Sequence, residues 1–208
     1  MEQPSHTITY TLEEKEYDTP YYSIRQNYPQ QYQGTNIPLV IDNGSNQCRA
    51  GWANEGTPSM IFDNVVARYR DRKANVNVVT VGMDAQSDPS SRSSARSPFD
   101  GNVVCDFDRM ETVLDYIFTV LGITTSTIEH PLVMTEPVCV PQYSRNLMSE
   151  LLFECYNAPS VTYGIDALFS HYANGGENED GIIVSSGHNS THIIPTLQGK
   201  GILGKAKR

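Results

Sequence analysis

A short apolar run that leads into a polar turn with glycine makes residues 38–53 the most constrained stretch of the chain. Residues 39–41 are apolar and have the composition of a buried strand. Asn43 and Gly44 then supply a turn dipeptide of the kind that joins two antiparallel strands. A second strand follows and ends near Trp52. The sequence therefore predicts a β-hairpin with a polar tip.

The predicted tip carries the chemical groups that bind a phosphate. Gly44 lets backbone N–H groups approach an anion, and Ser45 adds a hydroxyl. Asp42 offers a carboxylate that can hold a hydrated metal ion, and Arg49 adds a positive charge. One such hairpin is weak evidence for a site, because Asn-Gly turns are common in hairpins that bind nothing.

A second stretch, residues 182–194, repeats the same plan of apolar strand, small polar turn with glycine, and strand. When the two turn glycines are aligned, the equivalent positions are Asp42 with Ser185, Asn43 with Ser186 and Gly44 with Gly187. Two such hairpins indicate duplicated halves that face one nucleotide.

The formal net charge of −9 and the pI near 4.9 argue against a broad nucleic-acid-binding surface on this chain. Any DNA contact would have to be local. The basic candidates are Arg68, Arg70, Arg72 and Lys73, and near the end of the sequence Lys205, Lys207 and Arg208. A solvated loop and a solvated chain end are the alternative interpretation of these residues.

The cysteines and the hydropathy pattern indicate a reducing, aqueous environment. The four cysteines are far apart and form no C-x-x-C pair, which argues against a zinc site or a disulfide framework. No apolar run approaches the roughly 18 residues of a membrane span. The sequence also shows no secretory signal, so no membrane partner is expected.

The remaining segments predict alternating strands and helices. Strands are predicted at residues 58–62, 76–81, 132–134 and 160–163, and helices at about 108–121, 143–155 and 165–172. Asp108 and Glu111 are predicted to form a capping box, and Cys155 to lie on the packed face of the second helix. Residues 64–71 are predicted to be irregular, and the serine-rich residues 87–98 to be a mobile loop. This order of elements predicts an α/β fold with a mixed sheet.

Several of these segments resemble the actin family. Residues 39–52, 132–174 and 181–197 resemble its first phosphate loop, middle region and second phosphate loop. Within the family, the segments that resemble a nuclear branch of actin-related proteins are residues 96–100, 144–156, 163–169 and 183–187. The resemblance covers residues 37–208 and leaves out the first 36.

The resemblance implies an incomplete actin-like fold, an α/β mixed sheet with flanking helices. Residues 37–174 would form the first lobe, with the short serine-rich loop 87–98, and residues 175–208 would begin a second lobe whose remainder is absent. Residues 1–36 contain six tyrosines and almost no aliphatic residues, so they are expected to be an extended or disordered tail. The tyrosines either lie along a partner or the chain's own surface, or belong to a plain flexible tail.

The resemblance also implies a nucleotide site that binds ATP or ADP with Mg²⁺. Its residues would be Asp42, Asn43, Gly44, Ser45 and Arg49 from the first loop, and Ser185, Ser186, Gly187 and His188 from the second. Arg49 replaces a lysine of the family, and Ser185 and His188 replace acids. Glu150 stands where the family uses a glutamine to orient the attacking water, and Asn189 replaces a glycine. Because phosphoryl transfer depends on positioning and charge neutralisation, we expect no catalytic residue here and very weak or no ATP hydrolysis.

His188 and His192 are four residues apart, so on a strand they would share a face. No third ligand has a suitable spacing, and no metal site is predicted from this pair.

In function, the resemblance implies a non-catalytic nuclear subunit of an ATP-dependent chromatin-remodelling complex, with roles in transcription regulation and DNA repair. The expected partners are the motor ATPase and a small subunit of the same complex, together with nucleosomal DNA and histones. The subunit would couple the motor's ATP hydrolysis to nucleosome sliding, and filaments are not expected. The alternative is an actin-like ATP-binding protein with slow ATPase activity, which Asp42 favours.

Overall fold

A five-stranded mixed sheet forms the centre of the computed structural model, which describes residues 28–72, 75–87, 89–123 and 127–208. The strands are β1 (Leu39–Asn43), β2 (Gln47–Trp52), β3 (Met60–Asp63), β4 (Val66–Asp71), β5 (Val76–Val81), β6 (Phe99–Asp100), β7 (Val103–Val104), β8 (Leu132–Glu136), β9 (Val161–Ile165), β10 (Gly181–Ser186), β11 (Thr191–Leu197) and β12 (Lys200–Gly201). The helices are α1 (Pro89–Ser94), α2 (Phe107–Val120), α3 (Gln142–Glu150) and α4 (Asp166–Ala173). The central sheet has the order β3-β2-β1-β8-β9.

The central sheet is antiparallel on one side and parallel on the other. β1 pairs with β2, and β2 with β3, in antiparallel fashion, while β1 runs parallel to β8 and β8 parallel to β9. Parallel strands need a crossover, and α2 and α3 lie in the two connections that supply it. The prediction of an α/β chain with a mixed sheet and flanking helices is confirmed.

Helix α2 covers the sheet with the apolar stripe predicted from its 3.6-residue period. Its fully buried side chains are Met110, Val113, Leu114, Ile117 and Phe118. The predicted capping box is wrong, however, since the helix begins at Phe107 and its N-cap is Asp106. The Asp106 carboxylate accepts a hydrogen bond from the Arg109 amide at 3.0 Å, as an N-cap does. Asp108 therefore lies inside the first turn.

Helix α3 passes directly into a π-helical turn, Leu151–Cys155. Met148 and Leu152 are buried, as expected for the packed face, but the prediction that Cys155 lies on that face is wrong because its side chain is exposed. A π turn holds more residues than an α turn, so it rotates Cys155 further from Leu152 than an α-helix would.

Two segments predicted to be irregular have regular structure. Residues 64–71 contain β4, which pairs with β5 from Val66 opposite Val81 onward. The serine-rich residues 87–98 contain α1, and Ser91 is fully buried. The Ser93 and Ser94 hydroxyls donate to backbone carbonyls three residues earlier, so serines that usually favour loops instead bond within one helical turn.

A separate three-stranded sheet, β10-β11-β12, follows α4. One face packs inward through Ile194, which is fully buried beside Val138 and Ala167. The outer face carries Ile182 and Val184, whose residues are 69% and 64% exposed. No helix among the described residues is long and apolar enough to cross a membrane.

The last part of the predicted tail packs against the body of the chain. Tyr32 is buried, and its ring lies 4.4 Å from that of Trp52, while Tyr28 stacks on the same indole at 6.0 Å. The Tyr28 hydroxyl also hydrogen-bonds Nε2 of His130, whose Nδ1 bonds the Ile37 carbonyl at 2.9 Å. The other tyrosines of the predicted tail lie outside the described residues.

Asp115 on α2 is expected to make stability fall as the pH rises. Its carboxylate accepts a hydrogen bond from the Tyr156 hydroxyl at 2.8 Å, and burial is the main cause that raises its pKa to about 6. Because the folded pKa exceeds that of the unfolded chain, the protonated form contributes stability below about pH 4 that is lost as the pH rises through about 6.

Asparagine remains neutral at every pH, so the Asp115→Asn variant is expected to gain unfolding free energy relative to wild type between about pH 4 and pH 7. Urea denaturation of both proteins at the two pH values measures this difference. If the difference in unfolding free energy between wild type and Asp115→Asn is the same at both pH values, the raised pKa of Asp115 is contradicted.

Candidate functional site

A cleft of about 280 Å³ lies between the first hairpin, β1–β2, and the second, β10–β11. Its lining residues are Asp42, Asn43, Gly44, Ser45, Asn46, Gln47, Arg49, Phe99, Asn102, Thr135, Glu136, Pro137, Asp166, Ser185, Gly187, His188, Asn189, Ser190 and His192. The structure therefore brings together every residue predicted for the nucleotide site from both hairpins, except Ser186.

Asp42 is held by two partners that come from the neighbouring strands. Arg49 lies opposite it in the β1–β2 register and donates to Oδ2 at 3.0 Å. Thr135, on the parallel strand β8, donates its hydroxyl to Oδ1 at 2.7 Å and accepts the Asn43 amide at 3.1 Å. The carboxylate is thus oriented into the cleft, and its negative charge is partly neutralised by Arg49 before any ligand binds.

The tip of the first hairpin is braced by a buried residue that sequence reasoning missed. Asn64 is fully buried, and its amide donates to Asn43 Oδ1 and to the Gly44 carbonyl, both at 3.0 Å. Gly44 itself has no room for a side chain, because a Cβ there would lie 2.5 Å from the Gln47 carbonyl oxygen. Glycine is required at this tip for steric reasons.

The second hairpin has the same register as the first but different chemistry. Ser185 pairs with His192, at positions equivalent to the Asp42–Arg49 ion pair. His192 is buried and hydrogen-bonds the Asn102 amide at 3.1 Å, and burial lowers its pKa so that the neutral ring is favoured. The pair that carries opposite charges in the first hairpin is therefore uncharged in the second.

Glycine is not required at the second tip. A Cβ on Gly187 would lie 3.5 Å from the Ser190 carbonyl, an ordinary contact, and its φ is not in the left-handed region. The two tips are alike in sequence pattern, but only the first depends on its glycine.

Two cleft carboxylates were not predicted from the sequence. Asp166 begins α4 directly after β9, and burial raises its pKa, with the negative charge of Asp42 adding to the rise. Glu136 ends β8 and forms an ion pair with Arg145. Both residues lie at the carboxyl ends of parallel strands, where ligand sites of α/β sheets form. Their position after predicted strands could therefore have identified them from the sequence.

Ser186 and Glu150 are not among the described residues that line the cleft. Ser186 is exposed on the other face of β10, where its hydroxyl bonds that of Thr191 at 3.1 Å. Glu150 ends α3 and is exposed. Partial desolvation, together with the negative charges of Glu111 and Glu150, raises the pKa of the Cys155 thiol.

The first hairpin tip carries groups that suit a phosphate. The first hairpin offers Ser45 and Arg49 beside a required glycine, which suits an anion. Among the described residues, no group of three or more His, Cys, Asp or Glu could hold a metal ion. His188 lies in the tip rather than on a strand, so it does not share a strand face with His192.

The basic residues considered for DNA are partly engaged within the chain. Arg68 donates to the Asp108 carbonyl at 2.7 Å and to the Thr112 hydroxyl at 2.8 Å. Arg70 donates to the Asn75 side chain at 2.7 Å, and Lys73 lies outside the described residues. These contacts favour a structural role for Arg68 over a DNA contact.

Two hairpins of the same register that face each other across a cleft, one from the mixed sheet and one from the three-stranded sheet, define a fold of the actin type. The chain belongs to the actin family, whose model, described as Actin, matches residues 34–207. Within the family it is similar to proteins named actin-related protein 5.

Three relatives show the extent of this similarity. The chain is 55% identical over 172 residues to actin-like protein arp5 of Schizosaccharomyces pombe, covering 83% of this chain and 24% of that protein. It is 46% identical to actin-related protein 5 of Homo sapiens, covering 79% of this chain and 28% of that protein. It is 44% identical to actin-related protein 5 of Arabidopsis thaliana, covering 84% of this chain and 25% of that protein. The chain thus spans about a quarter of the length of these curated relatives.

Proposed function

We propose that this chain contributes the first lobe of a non-catalytic actin-related subunit in an ATP-dependent chromatin-remodelling complex of the nucleus. Its partners would be the motor ATPase, a small subunit of the same complex, and nucleosomal DNA and histones. Through these contacts it would couple the motor's ATP hydrolysis to nucleosome sliding. ATP or ADP with Mg²⁺ would bind as a structural ligand of the cleft.

The uncharged second hairpin is the observation that supports this proposal most. Phosphoryl transfer needs carboxylates that order the metal ion and a group that positions water. Ser185 and His192 face each other where the first hairpin has an ion pair, so the second hairpin offers no carboxylate to a metal ion at this position. Loss of a carboxylate that orders the metal ion costs about a hundredfold in rate or more.

A second candidate function is a slow actin-like ATPase. The arrangement of Asp42, Gly44 and Ser45 favours it, because the first tip keeps the groups that bind phosphate.

Co-purification of the full-length native protein from nuclei tests the proposal. We expect it in a large assembly with a motor ATPase, a small partner and histones. The isolated full-length protein should release phosphate from ATP far more slowly than actin filaments do. Recovery as a free monomer that hydrolyses ATP at the filament rate would overturn the proposal and favour an actin-like ATPase.

Placing a carboxylate at Ser185 is expected to make nucleotide binding depend more strongly on magnesium. An added aspartate would repel a triphosphate when no metal is present and would hold the hydration shell of Mg²⁺ when it is. We expect the ratio of ATP affinities with and without Mg²⁺ to rise about tenfold in the Ser185→Asp variant.

Ser186→Asp is the matched control, because Ser186 lies next in the chain but outside the cleft lining. Calorimetric titration of the full-length variants, with and without Mg²⁺, measures the ratio. An equal rise in both variants would show that Ser185 does not face the nucleotide.

A further inference from the structure

One side chain of the second hairpin tip reaches across the cleft to the first. The Asn189 amide nitrogen donates to the Ser45 hydroxyl at 3.2 Å and to the Gly101 carbonyl at 2.7 Å. An asparagine amide has two N–H groups, so these two contacts use its full donor capacity. Asn189 therefore ties the tip of the second hairpin to two separate parts of the first lobe.

The turn between β6 and β7 holds the second hairpin at a further point. Gly101 in this turn has a φ of +62°, and the adjacent Asn102 hydrogen-bonds His192 at 3.1 Å. The Oδ1 atom of Asn102 is buried and has no hydrogen-bond partner among the described residues. The Asn189–Ser45 contact thus joins the two tips where a nucleotide phosphate would enter, and the Asn102–His192 contact ties β11 to the β6–β7 turn beside it.

We propose that Asn189 is a latch that closes the two hairpin tips on each other and thereby lowers the affinity of the cleft for nucleotide. A nitrogen and an oxygen 3.2 Å apart leave no space between them for a phosphate oxygen. A phosphate between the tips must part Asn189 from Ser45 first. The energy of that contact is then subtracted from the binding energy.

This inference rests on the nucleotide site that belongs to the proposed function, but its test is separate. A net hydrogen bond contributes a modest amount, so its loss in the Asn189→Ala variant is expected to raise ATP affinity roughly three- to tenfold. Because the side chain of Asn189 is exposed, we expect the Asn189→Ala variant to fold as the wild-type protein does. Asn178→Ala is the control, because Asn178 is also an exposed asparagine but is not in the cleft lining.

Calorimetric titration of the full-length variants with MgATP measures the affinities. Unchanged or weaker binding by Asn189→Ala, including no detectable binding by any of the proteins, overturns the latch. Weaker binding would mean that the Asn189 amide donates to the nucleotide.

A second readout uses no nucleotide. The melting temperature of the ligand-free protein should fall in Asn189→Ala and not in Asn178→Ala. That fall should be smaller in a Ser45→Ala background, since one acceptor of the latch is then already missing. An equal fall in both backgrounds would contradict a contact between Asn189 and Ser45. Recovery of the protein in a remodelling assembly tests the proposed function alone, so the two can fail independently.

Discussion

Replacing Tyr156 with alanine is expected to lower the free energy of unfolding by about 3–5 kcal/mol. Tyr156 is only 2% exposed, and its ring packs edge-on against Phe118, with centroids 5.1 Å apart. The ring also joins the end of the π turn to α2, because its single hydroxyl hydrogen is shared between the Glu111 carbonyl at 3.0 Å and the Asp115 carboxylate. The truncation would leave a cavity between these elements and remove the hydroxyl that donates to Asp115.

The Tyr156→Phe variant separates the two causes. It keeps the ring and removes only the hydroxyl, so its expected cost is about 1 kcal/mol. Urea denaturation followed by far-ultraviolet circular dichroism measures both variants. Equal costs for alanine and phenylalanine would show that the ring contributes little packing energy.

Replacing Gly199 with alanine is expected to destabilise the second sheet by about 2–5 kcal/mol. Gln198 and Gly199 connect β11 to β12 with φ values of +50° and +71°, as a tight hairpin turn requires. A Cβ on Gly199 would lie 1.8 Å from the Glu177 carbonyl oxygen, so the backbone near residue 177 would have to move. Both the left-handed φ and this contact oppose a side chain.

Gly204→Ala is the matched control, since a Cβ there has no neighbour within 4 Å and its φ is not left-handed. It should change stability by less than about 1 kcal/mol. Amide hydrogen exchange in β10 and β11 reports on the second sheet alone. Equal protection in the two variants would contradict the predicted contact.

The sequence was sufficient to predict the local hairpin geometry. Both hairpins and their equivalence could be inferred because an apolar run, a turn dipeptide and a second run lie within about 14 residues of each other. Contacts between distant segments could not be predicted in this way. Asn64 braces the first tip and Thr135 orients Asp42, yet at least one whole strand lies between each of these residues and its partner in the sequence.

Two of the mistaken predictions share a physical cause. The capping box at Asp108 and the loop at residues 87–98 were inferred from local composition, which tertiary packing then overrode. Phe107 packs against the core, so the helix starts earlier, at the Asp106 cap. Ser91 is buried against the fold, so a serine-rich segment becomes helical. Burial of one residue outweighed the tendency of its neighbours in both places.

The two hairpins have similar sequence patterns, but the structure shows that their chemistry differs. They share a register, but Gly44 is sterically required and Gly187 is not. The ion pair of Asp42 and Arg49 corresponds to an uncharged pair in the second hairpin. The first tip retains the features of an anion site, whereas the second retains mainly the backbone shape.

Trp52 is the only tryptophan of the chain, and its position decides what its fluorescence can report. It lies at the end of β2 opposite the tip, about 10 Å along the strand from Arg49. Its indole contacts Tyr28, Tyr32 and His130 instead of the cleft. The fluorescence of Trp52 therefore reports whether the segment around Tyr32 packs against the sheet. A change in its emission spectrum when nucleotide is added would show that binding at the tip alters the structure at the other end of the hairpin.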